Sequence, residues 1–272
     1  MRNGSHGVHP RRHPRVRWLH IPKAGSAFIN VLARFACSSL RGTSTSFAMA
    51  TNYTAWLRTA PGGSCSALLP PWAGHAPARP DEGILVGDSR VLVGMFRRPS
   101  QRLLSGYHHT EGGVPDMMIA PGMPPERRSA MRHEVAGFPD KYARWPGIAG
   151  CATKMLTGRA CASTIRVTSA DVVRALRTLH SFAMVGLTEQ WHVSVCVFHA
   201  LLMNRSIPDM QELRITHAGH YATTTSAPEV LRVYDESLLK GFKDVNDEHV
   251  YDAATTRFWA DARKTGCAHM RR

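Results

Sequence analysis

The sequence has no apolar run long enough to cross a membrane, although 43% of its 272 residues are hydrophobic. Its longest apolar stretch, residues 193–203, contains His199 and falls well short of the roughly 20 residues that a membrane helix needs. The basic head, residues 1–14, has no apolar core of the kind found in signal peptides. We therefore expect no membrane anchor in this chain, a disordered head at residues 1–14 and a single domain at residues 15–272.

Several sequence patterns of known chemistry are also missing. There is no Gly-x-x-x-x-Gly-Lys-Ser/Thr loop, which disfavours a nucleotide-dependent phosphotransferase of the Walker type. There is no Cys-x-x-Cys pair, and we expect His217 with His220 and His108 with His109 to be surface or supporting histidines, because no cysteine lies near either pair to complete a zinc site. We therefore predict no bound metal. Internal repeats and heptads are absent too, and oligomeric state is not predicted.

Acidic residues are few. Twenty Asp and Glu against 34 Lys and Arg give a net charge of +14, which favours anionic partners. Nucleic acid, an acidic membrane surface, and an anionic polysaccharide with a polyanionic cofactor all fit this charge. Outside residues 11–17 the basic residues are dispersed, and no standard nucleic-acid-binding module is visible, so we expect no nucleic-acid partner. Six cysteines fit either redox state, although Cys151 and Cys161 are close enough to form a small disulfide loop.

Residues 15–37 combine a bulky apolar run, a short loop and an apolar pattern with helical spacing. This order predicts a buried parallel strand followed by a helix. In the loop, Gly25 lets a ligand approach the backbone, Ser26 offers a hydroxyl and Lys23 offers a cation. Backbone N–H groups at such a helix start favour a phosphate or sulfate. An ordinary turn is the alternative interpretation of this segment.

Residues 91–109 repeat the arrangement of strand, junction and helix. Arg97 follows the apolar strand, Pro99 suits a first helical turn, and Arg102 and Ser105 follow at helical spacing. Because Ser105 lies two turns into the helix, its hydroxyl and the Arg97 guanidinium could converge on one dianion. The alternative is an amphipathic helix with solvated arginines.

These two segments resemble the cofactor loops of sulfotransferases. Pro-Lys-Ala-Gly-Ser at residues 22–26 is similar to the family's 5′-phosphosulfate loop, and Arg-x-Pro-x-x-Arg-x-x-Ser at residues 97–105 is similar to its 3′-phosphate signature. Residues 183–202, with Val-Gly-Leu-Thr-Glu, and residues 245–264 give two weaker similarities. The resemblance covers residues 15–264 and is to the membrane-associated carbohydrate sulfotransferases, which include the uronyl 2-O-sulfotransferases.

The resemblance implies an enzyme that moves a sulfuryl group from 3′-phosphoadenosine 5′-phosphosulfate (PAPS) to a hydroxyl of a glycan, either anionic or neutral. It implies a Golgi location, with membrane association only through an anchor that this chain does not contain. It assigns Lys23 a catalytic role at the leaving phosphate, beside its role in cofactor binding. The residues implied to bind the cofactor are Lys23, Ala24, Gly25, Ser26, Ala27, Phe28, Arg97 and Ser105.

The catalytic base implied by the resemblance is His75, because a Gly-His dipeptide lies at a similar distance before the second motif in the family. An imidazole suits this role since its ordinary pKa, about 6.5, lies near working pH. Glu111, His108 and His109 are competing candidates. Ala24 and Ala27 occupy positions where many family members have Thr, so a non-catalytic polyanion-binding protein with this fold stays an alternative.

The order of segments predicts an α/β fold of three layers, with a short parallel sheet flanked by helices, similar to the P-loop-like fold of sulfotransferases. Residues 38–83 form a long irregular segment, and residues 111–128 are a candidate lid over the acceptor. We expect further helices at residues 129–136 and 169–180. The last two helices should start near Ala227 and Asp244, and both anion sites should lie at the carboxyl ends of strands.

Overall fold

A computed structural model of the chain describes residues 14–37, 75–78, 90–109, 124–203 and 233–270. It is a mixed α/β structure with a short parallel sheet flanked by helices. The predictions for Glu111, for the helix near Ala227, for His217 and His220, and for most of the head, the long irregular segment and the lid lie outside the described residues.

The sheet has three parallel strands in the order β1 (Arg15–Leu19), β2 (Arg90–Phe96) and β3 (Met184–Leu187). Trp18 pairs with Val93 of the central strand, and Val93 pairs with Met184 on its other side. Every residue of β3 is buried, as expected for strands covered on both faces. Because β1 and β2 run in the same direction, the residues that follow them meet at one edge of the sheet.

Most predicted elements occur close to their expected bounds. The first two strands and the helix at residues 169–180 are confirmed, and the helix expected at residues 129–136 begins earlier, at Pro125, a residue type that favours the first helical turn. The helices are α1 (Ile29–Ala36), α2 (Pro99–His109), α3 (Pro125–Val135), α4 (Pro139–Arg144), α5 (Cys151–Leu156), α6 (Ser169–His180), α7 (Trp191–Leu202) and α8 (Val245–Lys264).

The core lies around the sheet, and α1 and α7 supply many of its side chains. All eight residues of α1 are buried, including Arg34, whose guanidinium donates to the carbonyl of Asn30. Phe28 and Phe35 both contact Phe198 of α7 edge to face, with ring centroids 5.3 Å apart in each pair. This packing holds the start of α1, and with it the preceding loop, against the sheet.

The start of α8 is joined to the start of α5 by two buried carboxylates. Asp247 accepts hydrogen bonds from the N–H groups of Ala152 and Thr153, at 2.9 Å each, and Asp244 accepts one from the N–H of Gly150, at 2.8 Å. The first N–H groups of a helix have no partner within the helix. In α5, the side chain of Asp247, 94 residues from Thr153, satisfies two of these groups.

Disulfide bonds occur at several places in the described fold. Cys151 and Cys161 are bonded, which confirms the small loop indicated by their spacing. Cys196 of α7 is bonded to Cys267, just beyond α8, and Cys37 is also disulfide-bonded. In the ranges given above, no helix is both long enough and apolar enough to cross a membrane.

Candidate anion-binding site

The loop after β1 has an unusual backbone. Lys23 has a φ angle of 65° and Gly25 one of 85°, both in the left-handed region. Such a conformation is costly for lysine and is often found at functional sites. The N–H of Ala24 donates to the carbonyl of Ile21 at 3.1 Å, and the N–H of Phe28 donates to that of Gly25 at 2.9 Å. The loop is therefore a closed turn that leads into a short 3-10 helix, Ser26–Phe28.

Gly25 lies where the loop touches the sheet. A Cβ atom at this position would be 3.2 Å from Oγ1 of Thr188 and 3.4 Å from Cβ of Met95, in addition to the strain of its positive φ. Thr188 is itself held by a hydrogen bond of 3.1 Å to the carbonyl of Phe96, at the end of β2. The glycine thus lets the loop lie directly on the ends of β2 and β3.

The side chains of the loop point in different directions. Ala24 and Ala27 are buried in the core, with exposed fractions of 1% and 7%. Ser26 is exposed, and its hydroxyl lies 2.9 Å from Nε2 of His20. Since the alanine side chains pack into the core, Ser26 and backbone N–H groups are the donors that this turn offers to an anion.

Arg97 follows β2 and lies beside this loop. Its guanidinium is largely buried, donates to the carbonyl of Lys23 at 3.3 Å and lies 5.7 Å from the ring centroid of Tyr234. The backbone of Tyr234 is held in turn by Gln101 of α2, whose side-chain amide pairs with both its N–H and its carbonyl. The structure therefore brings Arg97 and Lys23, the predicted residues of the two motifs, into direct contact.

Glu189, after β3, fixes the start of α2. It accepts a hydrogen bond of 2.8 Å from the N–H of Arg98 and one of 3.3 Å from the hydroxyl of Tyr251 on α8. Its negative charge also acts on Arg97, where it partly offsets the lowering of the arginine pKa by burial. Glu189 thus positions the corner between β2 and α2.

Arg102 and Ser105 of the second motif lie on α2, and both side chains are buried. Ser105 has an exposed fraction of 7%. Arg102 has one of 2% and lies 3.4 Å from a carboxylate oxygen of Asp247 and 3.6 Å from one of Asp244. It also donates to the carbonyl of Ile148. Neither Arg97 nor Arg102 is a solvated surface arginine, and Arg102 is part of the junction between α5 and α8.

His75 lies against the loop, although it comes from a distant part of the sequence. Arg17 donates to the carbonyl of Pro77 at 3.3 Å, and the N–H of Ala78 donates to the carbonyl of Met155 at 2.8 Å, so this segment is held between β1 and α5. Nδ1 of His75 lies 3.0 Å from the carbonyl oxygen of His20. A carbonyl only accepts, so Nδ1 carries a proton, and the neutral imidazole has its lone pair on Nε2.

The basic groups of the site influence one another. Burial, together with the charge of Arg97, lowers the pKa of Lys23 to about 8. Burial also lowers the pKa of His75; its hydrogen bond to His20 opposes this change and the charge of Lys23 adds to it. In the described part of the chain, no carboxylate forms an ion pair with Lys23. An anion bound here would therefore relieve mutual repulsion between cations.

The competing base candidates occupy different positions. His108 and His109 are exposed at the end of α2, where His108 stacks on Tyr234 with ring centroids 5.1 Å apart. Over the ranges that the structure describes, no group of three or more His, Cys, Asp or Glu side chains could hold a metal ion.

Three residues of the site were not predicted from the sequence: His20, Glu189 and Tyr234. His20 directly follows β1, and Glu189 lies within the Val-Gly-Leu-Thr-Glu segment, so a polar residue just after a strand was an available signal for both. Tyr234 has no comparable signal, because only the folded chain places it beside Arg97.

In comparisons with known proteins, no protein-family model and no curated protein matches this sequence.

Proposed function

We propose that this protein is a PAPS-dependent sulfotransferase acting on a hydroxyl of a carbohydrate, with the three-layer fold of that enzyme class and a Golgi location. The observation that carries the proposal is the convergence of Lys23, His75 and Arg97. They come from three separate segments. Burial lowers the pKa of all three side chains, and repulsion between neighbouring cations adds to this lowering at Lys23 and His75. Two buried cations beside a neutral imidazole suit a polyanionic cofactor whose reaction requires a general base.

Two groups of residues would hold the two charged ends of such a cofactor. The N–H groups of Ala24 and Phe28 are used within the loop, so Gly25, Ser26 and Ala27 would supply the backbone donors for the 5′-phosphosulfate. Arg97 and Ser105, at the end of β2 and on α2, would hold the 3′-phosphate. Ala24 and Phe28 would contribute by packing the loop into the core.

When bound, PAPS supplies an activated sulfuryl group with adenosine 3′,5′-bisphosphate as the leaving group. Lys23 would stabilise the negative charge that develops on the leaving phosphate oxygen. His75 would accept the proton of the acceptor hydroxyl on Nε2, since Nδ1 is already bonded to the carbonyl of His20. Its lowered pKa keeps the imidazole neutral at neutral pH, which a general base requires.

The test is transfer of labelled sulfate from PAPS to a panel of anionic and neutral polysaccharides, together with binding of adenosine 3′,5′-bisphosphate and of AMP. We expect transfer to at least one glycan, and a larger rise in melting temperature with the bisphosphate than with AMP, because AMP lacks the group that Arg97 and Ser105 would hold. Equal shifts with both ligands would contradict the 3′-phosphate assignment. Bisphosphate binding without transfer to any glycan would favour a non-catalytic polyanion-binding protein, and phosphate transfer from ATP a phosphotransferase.

A further inference from the structure

His20 contacts both halves of the candidate site. Its main-chain carbonyl accepts the hydrogen bond from Nδ1 of His75, and its ring nitrogen Nε2 lies 2.9 Å from the hydroxyl oxygen of Ser26. Its ring stacks on the buried Trp18 at a centroid distance of 4.2 Å and lies 4.4 Å from the ring of His75. One residue therefore links the histidine on the acceptor side to the loop on the anion side.

The direction of the hydrogen bond between His20 and Ser26 decides what Ser26 offers to a ligand. If Nε2 of His20 accepts, the hydroxyl proton of Ser26 points at the imidazole. The hydroxyl then presents only oxygen lone pairs to a ligand bound at the loop. If Nε2–H donates, the hydroxyl proton is available to a bound anion. An anion accepts hydrogen bonds and repels lone pairs, so it selects the second arrangement.

We propose that His20 is a positioning residue, in which Nε2–H donates to Ser26 and directs the hydroxyl proton of Ser26 toward the anionic group held by the loop. The inference rests on the proposed function, since the anion is taken to be the 5′-phosphate end of the cofactor. The main-chain carbonyl of the same residue holds His75 with its lone pair on Nε2. Cofactor binding and alignment of the base thus depend on one fixed residue at the end of β1.

The test compares His20→Phe and His20→Gln in the full chain, alone and combined with Ser26→Ala. Phenylalanine keeps the stacking on Trp18 but has no donor, whereas the glutamine amide can still donate to Ser26. The probe is adenosine 3′,5′-bisphosphate, measured by titration calorimetry. We expect His20→Phe to weaken binding about tenfold, the effect of about one lost hydrogen bond to a charged network. His20→Gln should restore most of this loss.

The combined variant separates positioning from a purely structural role. In the Ser26→Ala background, His20→Phe should cause no further loss, because the hydroxyl that it orients is gone. The acid limb of the kcat/KM profile should stay in place in His20→Gln, since the carbonyl that holds His75 belongs to the backbone. The exposed His180, whose Nδ1 also bonds to a backbone carbonyl, provides the control His180→Gln, which should bind the probe like the unmodified protein.

Independent effects of the two substitutions, or equal losses in His20→Phe and His20→Gln, would overturn the inference. If His20→Phe does not fold, long-range proton–nitrogen NMR of the unmodified protein decides: Nε2 of His20 should carry a proton in the bound state, and an unprotonated Nε2 would refute the proposal. Failure of the unmodified protein to bind the bisphosphate would instead refute the proposed function. Normal binding that is unaffected by His20→Phe refutes only the role of His20.

Discussion

The guanidinium of Arg97 donates a hydrogen bond of 3.3 Å to the carbonyl oxygen of Lys23, across 74 residues of sequence. This contact joins the loop after β1 to the start of α2, and it holds a lysine whose backbone lies in the left-handed region. Two basic groups are thereby fixed next to each other at one edge of the sheet. Rigid placement of charge before the ligand arrives is the property that transition-state stabilisation requires.

The first prediction concerns Lys23. If its ammonium stabilises the leaving phosphate, Lys23→Ala should lower kcat by more than it raises the cofactor KM, because the charge on the leaving oxygen is greater in the transition state than in the bound cofactor. Steady-state kinetics with PAPS and the preferred glycan measure both constants. Lys264→Ala, at the exposed end of α8, removes the same charge elsewhere and should change neither. A Lys23→Ala enzyme with normal kcat would mean that the lysine only binds.

The second prediction concerns His75. His75→Ala should reduce turnover by about 10²–10⁴-fold and leave bisphosphate binding nearly unchanged, since a general base acts on the acceptor side. Because burial lowers the pKa of His75 below its ordinary value of 6.5, the acid limb of kcat/KM should lie below pH 6.5 and disappear in the variant. Rates measured from pH 4.5 to 9 give the profile.

Two parallel variants compare His75 with two of the competing bases, His109 and Glu111. His109→Ala removes an exposed imidazole at the end of α2 and should retain turnover. Glu111→Gln tests the carboxylate that follows the second motif. If Glu111→Gln abolishes turnover while His75→Ala stays active, the assignment of His75 is wrong.

The third prediction concerns the buried Arg102. Arg102→Met leaves the carboxylates of Asp244 and Asp247 without their shared cation, and should lower the free energy of unfolding by about 3–5 kcal/mol. Urea denaturation followed by circular dichroism measures it. Arg174→Met, which breaks an ion pair whose arginine is 63% exposed, should cost no more than about 1 kcal/mol. Similar stabilities of the two variants would show that Arg102 does not stabilise the junction.

The fourth prediction is a pH dependence of stability. Burial, with the nearby charge of Asp247, raises the pKa of Asp244 to about 7, above its value in the unfolded chain. The folded state therefore binds more protons between about pH 4 and pH 7, and this residue makes stability fall as pH rises through that range. Asp244→Asn removes the titration, so the difference in unfolding free energy between variant and unmodified protein should shift in favour of the variant as pH rises.

The exposed carboxylate of Asp235 provides the control of opposite sign. Hydrogen bonds from Ser237 lower the pKa of the exposed Asp235, so its contribution is lost as pH falls. Asp235→Asn should therefore change the slope of unfolding free energy against pH in the opposite direction, or change it too little to measure. A parallel shift of the Asp244→Asn curve, with no change in slope, would refute the role assigned to Asp244.

The local elements of the fold were predictable, because each has its own apolar pattern. β1, β2 and α6 follow directly from runs and spacings in the sequence. Gly25, Ser26 and Arg97 could be selected because they follow strands, where parallel sheets place their ligands. The partner of Arg102 could not be predicted, since Asp247 lies 145 residues away and nothing local marks it as buried. The link from His20 to Ser26 depends on a turn geometry that composition does not encode.

The capping of α5 by Asp247 has a consequence for the order in which the chain can fold during synthesis. Domains generally begin to fold from the N-terminus as they emerge from the ribosome. Here, β1, β2 and β3 are all made before α8, yet two of the first N–H groups of α5, those of Ala152 and Thr153, lack this acceptor until Asp247 has been added. The disulfide bond of Cys196 likewise cannot form until Cys267 has been made. A nascent chain ending before α8 should therefore stay sensitive to protease, and the sheet edge that carries the candidate anion-binding site should become rigid only when α8 has been made.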